Sequence, residues 1–172
     1  KRIPETLMTN YHREHKVDIR IARIFNTYGP KMNPRDGRVV SNFIMQLLEG
    51  KALTLYGKGA QTRSFCYVDD LVEGLLLLMN CSLVEGPVNL GNPREITIKK
   101  LAQILLQVTG SSAPLEYYPL PRDDPLRRKP DISKAQSLLR WEPKTDLEDG
   151  LLATFSFYQT LVDKHKIEIV AL

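Results

Sequence analysis

Short runs of apolar and β-branched residues alternate along this chain with segments of helical period, with glycine and proline as punctuation. That alternation constrains the fold more than any other feature, because it is the signature of α/β architecture. A helix is predicted over Lys1–Glu14, where Ile3, Leu7, Met8 and Tyr11 recur at helical spacing. Val17–Phe25 reads as a buried strand, although Arg20 and Arg23 require one end to reach solvent or an anion. Asn26–Arg38 is a loop, and Val39–Leu48 a helix stopped at Gly50. Leu53–Tyr56 and Ser64–Tyr67 read as short strands, with Gly57-Lys58-Gly59 as a hairpin turn. Asp69 or Asp70 is expected to cap a helix running to Met79. Further strands are expected over Pro87–Leu90 and Leu115–Tyr118. Between them lies a helix, Ile98–Val108, capped by Thr97 and stopped by Gly110. A charged, proline-rich loop over Pro119–Pro130 precedes a helix capped by Ser133 and a last helix over Leu147–Asp163. Strands this short and scattered suit small accessory sheets better than a complete doubly wound core.

Composition removes several classes. At 42% hydrophobic and 26% charged residues, the chain is neither disordered nor collagen-like. A net charge of +4 with 8% aromatics fits a mixed solvated surface, so no nucleic-acid partner is expected. No apolar run approaches the roughly 18 residues of a membrane span. Cys66 and Cys81 have no metal-spaced partners and are expected to be free thiols. His12 and His15 read as a surface pair, and no metal site is expected. The chain opens Lys1-Arg2-Ile3 without Met or a leader pattern, and is read as cut from something longer.

Several residues have the chemistry to bind or react. Asn26-Thr27 follows a strand directly, where α/β sheets bind ligands; the same pair also suits an ordinary turn. Gly37-Arg38 precedes a helix N-terminus, which favours anions. Arg38, Arg63 and the run Arg127-Arg128-Lys129 are either anion contacts or surface charges. Tyr56, Phe65 and Tyr67 either stack on a base or pack in the core. A dinucleotide site needs a glycine-rich turn so that the pyrophosphate can approach backbone. No such turn occurs here, nor a Walker A pattern, nor a G-x-S-x-G elbow.

Taken in order, these pieces acquire a pattern. Arg23-Ile24-Phe25-Asn26-Thr27-Tyr28-Gly29-Pro30, Asp36-Gly37-Arg38-Val39-Val40-Ser41-Asn42-Phe43 and Leu53-Thr54-Leu55-Tyr56-Gly57 come first. Gln61-Thr62-Arg63-Ser64-Phe65, Tyr67-Val68-Asp69-Asp70, Asn89-Leu90-Gly91-Asn92 and Arg128-Lys129-Pro130-Asp131 follow. The series resembles the extended short-chain dehydrogenases/reductases that act on sugar nucleotides. It is most similar to the UDP-glucuronate decarboxylases, and the resemblance runs from Lys1 to about Leu152.

The fold implied is α/β: the C-terminal part of a Rossmann-type NAD-binding domain plus a small α/β sugar-nucleotide-binding domain. Residues 1–172 would be the C-terminal half, with the N-terminal glycine-rich half absent. In the family a Tyr lies four residues before a Lys, and Lys1 matches that Lys. The implied activity is NAD-dependent decarboxylation of UDP-glucuronate to UDP-xylose through a 4-keto intermediate. The alternatives are a 4,6-dehydratase or 4-epimerase, and a non-catalytic UDP-sugar-binding or dimerising fragment. Lys1 would be catalytic, lowering the Tyr pKa and holding the nicotinamide ribose. Thr27 and Arg38 would help hold NAD or the diphosphate edge. Tyr11 and Asn26 would face the substrate. Val40, Leu55 and Tyr56 would shape the uracil slot, and Arg63 and Arg128 would neutralise the diphosphate. A homodimer is expected for the full-length enzyme. The expected compartment is the cytoplasm, or the Golgi lumen if an N-terminus carries a membrane anchor.

Overall fold

The computed structural model describes residues 2–82, 86–120 and 129–165. Along them run α1 (Arg2–His15), β1 (Ala22–Ile24), β2 (Thr27–Tyr28), α2 (Val39–Leu48), β3 (Leu53–Tyr56), β4 (Thr62–Ser64) and β5 (Cys66–Tyr67). Then come α3 (Val68–Asn80), β6 (Val88–Leu90), β7 (Glu95–Thr97), α4 (Ile98–Thr109), β8 (Leu115–Tyr118), α5 (Ser133–Leu139) and α6 (Leu147–His165). The α/β expectation holds. The strands pair two by two: β1 with β6, β2 with β5 and β3 with β8 in parallel, and β4 with β7 antiparallel.

The parallel pairs require crossovers, so each strand meets a partner distant in sequence. Ala22 lies opposite Val88, and Leu53 opposite Leu115. One apolar cluster joins α2, β3, α4 and α6 around Phe43, Leu53, Leu101 and Tyr158. A second joins α3, β6 and α5 around Leu78, Val88, Leu139 and Trp141. The Trp141 Nε1–H donates to the Asp70 carbonyl at 2.8 Å, and the Asp70 carboxylate accepts from the Thr145 N–H at 3.1 Å. The buried Asp70 thereby ties α3 to the segment before α6.

Four local expectations are corrected. The strand over Val17–Phe25 shrinks to β1, because Arg20 turns back on its surroundings. Its guanidinium donates to the Cys81 carbonyl at 2.6 Å and the Ile19 carbonyl at 2.7 Å, and pairs with Asp18. Gly57-Lys58-Gly59 is no hairpin turn, since β3 pairs with β8 and β4 with β7. It is a bend between two different pairs, with Gly59 at φ +66°, where a Cβ would meet Leu55 Cδ2 at 2.6 Å. Neither Asp69 nor Asp70 caps α3: Tyr67 holds the N-cap position without a side-chain bond, and both carboxylates sit in the first turn. Ser133 does not cap α5 but begins it. The Asp131 carboxylate accepts from the Ser133 N–H at 3.0 Å and its hydroxyl at 2.6 Å. Those bonds hold the Asp131 carboxyl below its usual range. Thr97 does cap α4, accepting from the Lys100 N–H at 3.1 Å.

Among the described residues no helix is long and apolar enough to cross a membrane, and no cluster fit for a metal ion occurs. Cys66 and Cys81 are free.

Candidate functional site

A cleft of about 420 Å³ opens between the loop after β1, the start of α2 and the β3–β4 connection. The loop contributes Asn26, the start of β2 contributes Thr27, and the helix start contributes Gly37, Arg38, Val39, Val40, Asn42 and Phe43. From β3 come Thr54 and Tyr56, and from the next stretch Gln61, Arg63 and Phe65. Period two explains both sets, since alternate strand residues share one face. Thr54 and Tyr56 face the cleft, while Leu53 and Leu55 are fully buried in the core beneath.

The loop that forms one wall is anchored by hydrogen bonds. The Tyr158 hydroxyl donates to the Met32 carbonyl at 3.0 Å, and Tyr28 reaches the Leu147 carbonyl at 3.4 Å. Burial pushes the Tyr158 hydroxyl up to about 12, with Asp36 adding to it. Burial also raises the Tyr28 hydroxyl. At the start of α2 the Asp36 carboxylate accepts from the Arg38 N–H at 3.0 Å and from the Ser41 hydroxyl. The same carboxylate pairs with Arg38 Nε at 3.5 Å. The Gln46 amide spans to β3, donating to Thr54 Oγ1 at 2.9 Å and accepting from the Thr54 N–H at 3.2 Å.

Arg63 is the most informative side chain. It is only 9% exposed, yet it lines the cleft, and its guanidinium donates to the Thr62 carbonyl at 2.8 Å. A cation this buried on a cavity wall suits an anion that displaces water from it. Tyr56, half exposed, stands beside it and tilts against Tyr118 at 6.3 Å between ring centroids.

Behind the cleft lies a larger concavity of about 1250 Å³, floored by residues 20–25 and flanked by Pro4, Glu5 and Met8 of α1. Asn26, Thr27 and Arg38 line both hollows. The Glu5 carboxylate accepts from Arg23 at 2.8 and 2.6 Å, clamping α1 to β1. That pairing holds the Glu5 carboxyl below its usual range. The Thr27 hydroxyl donates to the Phe25 carbonyl at 2.9 Å, so the turn and the cleft wall are built from the same residue.

Of the residues singled out from sequence, Asn26, Thr27, Arg38, Val40, Tyr56 and Arg63 meet around the cleft. Leu55 is not on its wall but under it. Tyr11 stands apart on α1, half exposed against His15 at 5.2 Å between ring centroids. Lys1 and Arg128 lie outside the described residues. Phe65 is both core and cleft wall, whereas Tyr67 packs on Tyr28 with ring centroids 5.7 Å apart. Sequence reasoning passed over Gln61, Thr54 and Asn42 as site residues. Gln61 was findable, because Gln61, Arg63 and Phe65 alternate and so share a face.

The described residues fit a nicotinamide dinucleotide in part. Thr27 and Arg38 offer polar groups at the junction of the two hollows. The sequence holds no glycine-rich turn for a pyrophosphate.

Comparison with known proteins agrees with the α/β fold. Residues 1–91 match the NAD dependent epimerase/dehydratase family. The chain is 56% identical over 151 residues to UDP-glucuronic acid decarboxylase 3 of Arabidopsis thaliana, covering 88% of this chain and 44% of that protein. It is 52% identical over 159 residues to UDP-glucuronic acid decarboxylase 1 of Xenopus tropicalis, covering 92% and 38%. The chain thus spans less than half the length of these curated relatives. Among solved structures it is similar to a Bacillus cereus UDP-glucuronic acid 4-epimerase in complex with UDP-glucuronic acid and NAD. That match has a TM-score of 0.83 at 32% identity, covering 91% of this chain and 50% of the epimerase. A Thermotoga maritima UDP-glucose 4-epimerase with UDP-glucose matches with a TM-score of 0.87 at 31% identity, covering 92% and 51%. With its anion-suited cleft on an α/β frame and more than half its residues matched, the chain belongs to the NAD dependent epimerase/dehydratase family.

Proposed function

We propose that this chain forms the sugar-nucleotide side of an NAD-dependent UDP-glucuronate decarboxylase. The observation that carries the reading is Arg63, nine-tenths buried on the wall of a cleft beside Tyr56. In this reading Arg63 neutralises the diphosphate and Tyr56 and Val40 bracket the base, while Asn26 meets the sugar. Thr27 and Arg38 serve the dinucleotide or the diphosphate edge. Lys1 and Arg128 keep the roles that the family pattern assigns them. When bound, NAD would supply a reversible hydride acceptor for the sugar C4. The residues of this chain bind and orient the substrate and shield it from water.

The 51–56% identity to proteins named UDP-glucuronic acid decarboxylases favours decarboxylation over dehydration or epimerisation. Assembly as a homodimer and a cytoplasmic setting belong to the same proposal. The exposed Ile3, Leu7 and Met8 of α1 support the first, and the free thiols support the second.

Calorimetric titration of the chain with UDP tests the reading. Wild type is expected to bind, and Arg63→Ala to lose about 1.5–3 kcal/mol, roughly ten- to 150-fold. Equal, undetectable heats from both proteins would sink it. This 172-residue chain on its own is expected to form no UDP-xylose from UDP-glucuronate, because its residues hold no glycine-rich turn to receive the NAD pyrophosphate. Product detected by chromatography would overturn that expectation.

A further inference from the structure

Resting on that reading of the cleft, we propose that Asp36 is a positioning residue, which aims the Arg38 guanidinium at an anion bound there. Gly37, at φ +75°, bends the chain so that Asp36 faces back toward the residues that follow it. Its carboxylate then accepts from the Arg38 N–H at 3.0 Å and from the Ser41 hydroxyl, and meets Arg38 Nε at 3.5 Å. The two partners are unequal in freedom. The Asp36 side chain is 19% exposed and Ser41 is fully buried, whereas the Arg38 side chain is 64% exposed.

Asp36 is therefore fixed by the helix start and by Ser41, and Arg38 is the movable member. The loop behind it is pinned through Met32 by the Tyr158 hydroxyl. A long exposed arginine loses rotamer freedom when it grips a ligand, and a fixed carboxylate removes part of that loss beforehand. The place where this matters is specific, because Arg38 lines both the cleft and the larger concavity. An alternative role makes the opposite prediction: a carboxylate that competes with the ligand for Arg38 would weaken binding.

The test is a double-mutant cycle on the 172-residue chain, with UDP as the probe. Asp36→Asn keeps an acceptor for the Arg38 N–H and removes the charge. It is expected to weaken UDP binding about three- to fivefold, the scale of a half-exposed ion pair. In an Arg38→Ala background the same change is expected to do nothing further. Equal losses in both backgrounds would mean that Asp36 only steadies the helix start, and a gain in affinity would mean that it competes. Either result overturns the proposal. The ¹⁵N NMR resonance of Arg38 Nε–Hε gives a second readout that needs no ligand, and it is expected to move in Asp36→Asn. An unmoved resonance with UDP binding intact sinks this proposal alone. No UDP binding by wild type sinks the reading of the cleft.

Discussion

Leu55 and Tyr56 are neighbours with opposite fates, and the difference follows from the pleat of β3. Tyr56 stands half exposed at the cleft, while Leu55 is fully buried against the Gly59 bend. Leu55→Ala should therefore cost about 2–5 kcal/mol of stability, measured by urea unfolding, through a cavity in the core. UDP affinity of the fraction that stays folded should be nearly unchanged. A site residue and a core residue can sit side by side in one motif, and the motif alone does not say which is which. Asn26, Arg38 and Arg63 were legible because polar groups stand where the chain turns or where a strand should be apolar. Gln61 was equally placed but was hidden by reading residues singly rather than by their alternation. At high pH the buried acids report on the fold. Cys66 is pushed by burial from 9.0 to about 12, and Tyr158 from 10.0 to about 12. Their folded values lie above the unfolded ones, so their contribution is complete below pH 9 and is lost as pH rises toward 12. Thermal melts in that window should fall steadily, and Cys66→Ala should flatten the early part of the decline.

At the scale of elements, a charged clamp, Glu5 with Arg23, holds α1 to β1. The Glu5 carboxyl is lowered by that partner, so the clamp is complete above its ordinary value of 4.5 and is lost as pH falls through the lowered one. Protection of the α1 amides, taken relative to their intrinsic exchange rates, should fall in wild type as the Glu5 carboxylate is protonated. Glu5→Gln should show the lower protection already at pH 7, with α4 unaffected in both proteins. Helices were the most legible elements, because α2 and α4 carry strong periodicity and glycine stops. Strand pairing was not legible. Leu53–Tyr56 and Ser64–Tyr67 look like a hairpin in sequence, yet β3 pairs with β8, and the expected second strand is divided at Phe65 between β4, which pairs with β7, and β5, which pairs with β2. Long-range pairing is decided by packing of the layers, which local propensity does not encode. β7 was missed altogether, since its alternation is only three residues long and runs directly into α4.

Across the whole molecule, the described residues form four two-stranded pairs that share two apolar cores, and several apolar side chains remain outside them. Ile3, Leu7 and Met8 lie exposed on α1, and Val72, Leu76 and Met79 on α3. Surface of this kind drives association. The chain should bind a hydrophobic dye such as ANS in its folded state, and Leu7→Glu with Met8→Glu should reduce the signal without lowering the unfolding midpoint. A dye signal unchanged by that pair would move the sticky surface elsewhere. The junction of the two hollows has a further effect. Asn26, Thr27 and Arg38 belong to both, so an occupant of one that shifts these side chains reshapes a wall of the other. The two hollows then share a coupling free energy, and linkage makes it reciprocal. A ligand of the concavity that shifts them resets the affinity of the cleft by the same factor by which the cleft's ligand resets the affinity of the concavity.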